Sequence, residues 1–138
     1  MIDWFKRRRA SRGTLPEEKR AELEQEGIEL LEERIRGRVT YRGYEFGGQR
    51  PVSGDQPTVA ALAITPTRLA IHGTNNVHVD AGHGIVHPEL PEPGRLVLRY
   101  EARDLFPMRS GAVEIELWTD RAADIHARLQ AWIERSAT

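Results

Sequence analysis

GRLVLRYEARDLFPMRSGAVEIELWTDRAADIHARLQAWIERS, residues 94–136, holds two alternating strands that lead directly into one amphipathic helix. Leu96, Leu98 and Tyr100 fall on one face of the first strand. Val113, Ile115 and Leu117 share a face of the second, with Glu114 and Glu116 opposite. From Asp120 onward, Ala122, Ile125, Leu129, Trp132 and Ile133 recur at helical spacing and form a single apolar stripe. The hydrophobic period changes from two to 3.6 across Trp118–Asp120, which places a strand–helix boundary there. The expectation is a mainly β, α+β structure closed by a C-terminal helix.

Upstream, Val39 and Tyr41 alternate with Arg38, Thr40 and Arg42, after which Gly43 permits a bulge and Tyr44 and Phe46 continue on the other parity. Residues 47–57 read as a polar loop, and Val59–Thr65 as a strand apolar on both faces. Thr65-Pro-Thr-Arg68 is a tight connection, with Pro66 pre-setting the turn. Leu69 with Ile71, Val77 with Val79, and Ile85-Val86 supply three further short strands, giving seven strands with the terminal helix. Before them, Thr14-Leu-Pro-Glu17 fits a capping box, predicting a helix to about Glu33 with Leu23, Ile28, Leu31 and Ile35 in a narrow stripe. Gly27 weakens the middle of that helix by about 1 kcal/mol. The chain divides into a basic arm (1–13), an N-terminal helix (14–33) and a β body with its helix (34–138).

A chain of 138 residues suits one domain. It contains no Cys, which excludes disulfides, thiolate metal sites and Cys nucleophiles and suits a reducing cytoplasm. No apolar run approaches the roughly 20 residues of a membrane-spanning helix, and no secretory signal is expected. The net charge of −1 conceals segregation: Lys6, Arg7, Arg8, Arg9 and Arg12 crowd the start, and Glu17, Glu18, Glu22, Glu24, Glu26, Glu29, Glu32 and Glu33 follow.

The stretch LAITPTRLAI, Leu62–Ile71, and the run from Gly111 through Arg135 together resemble bacterial pleckstrin-homology-like domains over about residues 34–135. The resemblance implies a roll of seven antiparallel strands in two near-orthogonal sheets, one end plugged by the C-terminal helix. It also implies a non-catalytic binding or adaptor module. Head-group-binding members carry basic residues on the first strand and early in the second. Arg36, Arg38, Arg42 and Arg50 supply the first part, whereas residues 59–64 contain no basic residue.

Several constellations bear on function. Trp4 and Phe5 beside Lys6-Arg-Arg-Arg9 combine interfacial aromatics with charge, which suits an anionic membrane surface at the inner face. Each such cation contributes about 1 kcal/mol near the surface. The same arm also suits self-pairing with the acidic helix, and less well nucleic-acid phosphates. A protein partner is the other expected occupant, and no cofactor is expected. His72, His78, His83 and Asp80 carry metal-ligating groups, the basis of an alternative, metal-dependent enzyme, but their spacing matches no established metal motif and surface histidines are the simpler reading. Arg38-Val-Thr-Tyr-Arg42 matches the Arg-x-x-x-Arg element of cyclic-dinucleotide-binding PilZ domains, with Asp80-Ala-Gly-His-Gly84 as an imperfect companion. Ser53 and Ser110 lie in no nucleophile elbow. Trp118 and Phe106-Pro-Met108 mark a protein-binding patch if they remain exposed together.

Overall fold

In the computed structural model the described residues are 13–73, 76–80 and 86–137. The chain runs as α1 (Glu17–Glu26), β1 (Leu30–Phe46), β2 (Val52–Ile64), β3 (Arg68–His72), β4 (Val77–Asp80), β5 (His87–Glu92), β6 (Arg95–Glu101), the single turn α2 (Ala102–Leu105), β7 (Arg109–Trp118) and α3 (Ala122–Ala137). The seven strands form one antiparallel sheet in the order β4-β3-β2-β1-β7-β6-β5, curled into a half-barrel. The long β1 is shared by two halves, pairing with β2 along one side and β7 along the other.

Period-two patterning decides which side is core. Val39, Leu62, Ile71, Leu98, Ile115 and Leu117 line the concave face. There they meet Ala122, Ile125, Leu129 and Trp132, the buried stripe of α3. Each fully buried residue of this kind contributes about 1.5–3 kcal/mol, so α3 is integral to the core. Arg121 donates to Glu32 Oε2 at 2.7 Å and Arg135 to Glu29 Oε2 at 3.1 Å, tying both ends of α3 to the start of the sheet.

The convex face carries a second, smaller cluster. Ala61, Ala63 and Ala70 present methyl groups there, and Leu23 of α1 is buried against them with Leu15. Small side chains let the helix lie close to two strands at once. Leu23 is the one buried residue of α1. Polar contacts supply the rest: Thr65 and Thr67 donate to Glu26 Oε1 at 3.1 and 2.8 Å, and Arg68 donates to Glu22 at 2.9 Å. The tight β2–β3 turn is therefore also the seat of the helix.

The N-terminal helix is shorter than its sequence stripe predicts. It ends at Glu26 because Gly27 adopts a left-handed backbone (φ 92°), and Leu30, Leu31 and Glu32 pair with Ile64, Ala63 and Leu62 as strand. Ile28 and Leu31 still pack with the convex cluster, but from outside the helix. The capping box does not form: Pro16 occupies the cap position, no side chain caps the helix, and Glu33 instead accepts from Leu15 N–H at 3.0 Å. The expected loop over 47–57 is also mostly strand, since β2 begins at Val52 and extends a two-stranded arm with β1.

Candidate functional site

That hairpin arm ends in a region where several large apolar side chains and ion-pair-free cations are exposed together. Gly43 (φ 61°) opens a bulge against β2 and β7, and its N–H donates to Ser53 Oγ at 2.9 Å. Ser53 is thus a bulge-stabilising hydroxyl. Gly47 and Gly48 take positive φ and reverse the chain, and Gly47 N–H donates to Met108 O at 2.9 Å, joining the tip to the turn before β7. Phe46, Val52 and Met108 are 48%, 62% and 69% exposed. The Arg109 guanidinium stacks over Phe106 at 4.4 Å and Phe46 at 5.0 Å, a cation between two rings.

The tip is also electropositive. Residues 42–53 and 103–110 contain Arg42, Arg50, Arg103 and Arg109 against Glu45 and Asp104. Among the described residues no carboxylate lies within ion-pair distance of Arg42, Arg50 or Arg109. Beside the tip, across β1, β7 and β6 on the uncovered convex face, lies a cleft of about 270 Å³ lined by Thr40, Arg42, Arg99, Glu101, Asp104 and Glu114 among others. Its three carboxylates outnumber its two guanidinium groups, and Arg99 is already committed to Glu114 at 3.1 Å and Glu89 at 2.6 Å. The cleft alone does not select anions.

The sequence-predicted arginines are divided rather than gathered. Arg36, Arg38 and Arg42 share the convex face of β1, but Arg36 and Arg42 are about 20 Å apart at the rise of a strand. Arg36 pairs in register with Trp118, and Arg38 is bound to Asp55 at 3.2 Å. Arg42 and Arg50 belong to the tip. Trp4, Phe5, Lys6, Arg7, Arg8, Arg9, Arg12 and His83 lie outside the described residues. Trp118 stays 43% exposed, yet it and Met108 flank opposite ends of β7, about 30 Å apart, so they do not form one patch.

His72 and His78 are cross-strand neighbours as their parity predicts, but they are not free surface histidines. Lys19 and Glu22 of α1 face them, His72 is buried and His78 half-buried, and their Nε2 atoms are 2.7 Å apart. Asp80 faces Arg68 at 3.5 Å. Among the described residues no group of three or more His, Asp or Glu side chains is arranged to hold a metal. Asp80 also lies on β4, three strands from the Arg38–Arg42 segment of β1, so the PilZ-type constellation is not assembled.

Phe46, Val52 and Arg109 are the residues that sequence reading missed; Met108 was singled out there, but with Trp118 as its neighbour. The available signal was apolar residues flanking Gly47-Gly48 and the Phe-Pro-Met-Arg turn, but only the pairing of β1 with both β2 and β7 brings them together. Compared with protein-family models, curated proteins and solved structures, the chain matches none.

Proposed function

We propose that this protein is a non-catalytic binding module, pleckstrin-homology-like in design, that attaches peripherally to anionic membranes through the β1–β2 tip and the basic N-terminal arm. The carrying observation is the exposure of Phe46, Val52 and Met108 at the same end as Arg42, Arg50 and Arg109. Apolar tips enter the acyl–headgroup boundary while guanidinium groups stay at the phosphate level. Three cations near an anionic surface contribute about 3 kcal/mol, and the five of the arm about 5 kcal/mol more before ordering costs. Such binding is reversible and screened by salt. Among the described residues no helix is long and apolar enough to cross a membrane.

The test is co-sedimentation with phosphatidylcholine vesicles with and without phosphatidylserine, at low and moderate salt. The full chain is compared with Phe46→Ser/Met108→Ser and with Arg7→Ala/Arg8→Ala/Arg9→Ala. Selective, salt-sensitive binding by the full chain, reduced in both variants, is the expected result. Equal recovery with neutral and anionic vesicles, or none with either, refutes the proposal.

A further inference from the structure

His72 and His78 lie where α1, β3 and β4 meet, away from the tip. Their rings stand edge to face, with centroids 4.7 Å apart and planes at 87°. A 2.7 Å contact between two Nε2 atoms requires one imidazole to donate and the other to accept, so at least one ring is neutral. A proton added to the acceptor gives each nitrogen a hydrogen and destroys the contact. The charged groups facing the pair are Lys19 and Glu22 from α1, Arg68 from β3 and Asp80 from β4. β2 contributes uncharged Ala61, in register with His72.

The helix above the pair is lightly held. Leu23 is its single buried residue, resting on alanine methyl groups, and its remaining ties are half-exposed ion pairs and hydrogen bonds. Most of the core lies on the opposite face of the sheet. Loss of α1 is therefore a local event.

We propose that His72 and His78 form a proton-operated latch: as a hydrogen-bonded pair with one ring neutral they seat α1 on the convex face, and protonation of the second ring releases it. The added proton breaks the ring–ring hydrogen bond and places a cation beneath Lys19 and beside Arg68. Burial, then His78 and Lys19, holds His72 down at about 4. Burial, then Lys19 and Arg68, also lowers His78, opposed by Glu22 and Asp80. With α1 released, the imidazoles regain their ordinary value near 6.5, so the released state binds more protons. Seating is strongest above pH 6.5 and weakens as pH falls toward 4. For His72 alone, passing from pH 7 to pH 5 shifts the equilibrium roughly 20-fold toward release. Glu22 and Glu33 are held below the usual carboxylate range and stay ionised over that interval.

Hydrogen exchange of the full chain at pH 7, 6 and 5, corrected for intrinsic rates, tests the latch. Residues 17–26 are expected to lose about 20-fold of their protection between pH 7 and pH 5, while β6 and β7 keep theirs. His72→Gln/His78→Gln makes α1 protection independent of pH. Should that variant fail to fold, Lys19→Met, a surface change, gives a shallower loss because a cation facing the pair is gone. Unchanged α1 protection at pH 5, equal loss throughout the sheet, or a wild-type response in either variant overturns the proposal.

Discussion

Glu33 grips Arg20 with one carboxylate oxygen, at 2.6 Å, and the Leu15 backbone N–H with the other, at 3.0 Å. One residue at a bend of β1 thereby fixes both the helix and the segment leading into it. Burial alone pushes the Glu33 carboxyl upward, but the hydrogen bonds from Arg20 and Leu15 outweigh it and hold the group low. Its contribution is present above the ordinary glutamate value and fades as pH falls through the lowered one. Glu33→Gln is expected to cost about 1 kcal/mol at pH 7 and progressively less as pH falls below the ordinary glutamate range, measured by urea denaturation across that range.

Leu23→Ala removes the apolar anchor of α1. A buried Leu→Ala change costs about 2–5 kcal/mol, which exceeds what the half-exposed ion pairs supply. The helix is expected to detach while the sheet survives. Hydrogen exchange then shows fast amides in residues 17–26 and unchanged protection in β6 and β7. Uniform loss across the chain contradicts a separable helix.

Gly37 lies on β1 in register with Leu117 of β7. A Cβ there meets the Glu116 carbonyl oxygen and comes within 2.9 Å of Leu117 Cδ2. Gly37→Ala is expected to destabilise by about 1–3 kcal/mol, seen as a lower thermal midpoint in circular dichroism. Gly48→Ala, in open space but at φ 81°, is expected to cost only about 1–2 kcal/mol.

Arg109→Ala deletes the cation between Phe46 and Phe106. Its stacking contributes about 0.5–1 kcal/mol to stability at a half-exposed site. The larger effect is expected on vesicle affinity, with about a fivefold loss on phosphatidylserine vesicles for one interfacial charge. Arg38→Ala, whose partner Asp55 is on the sheet, serves as the contrast and should leave affinity nearly unchanged.

Alternation made the architecture legible. Leu96 to Tyr100, Val113 to Leu117 and the stripe from Ala122 to Trp132 occupy the faces that their periods assign. The bounds of α1 were hidden because Ile28 and Leu31 recur at helical spacing, yet both lie beyond the helix and Leu31 pairs as strand. His72 and His78 were placed on the correct face, but a nearly uniformly polar helix gave no sign that it would face them. The tip was illegible for a topological reason: Phe46 and Arg109 are far apart in sequence and meet only because β1 bonds to both β2 and β7.

A sheet that curls without closing keeps two margins, and both are poor templates for further strands. Among the described residues β4 offers only Val77–Asp80, a short edge. β5 spans His87–Glu92 and includes Pro88 and Pro91, which have no N–H to donate. The fold is thus guarded against fibre formation at its margins by brevity on one side and chemistry on the other. Replacing Pro88 and Pro91 together would restore a regular ladder of donors and open a path to strand-by-strand assembly.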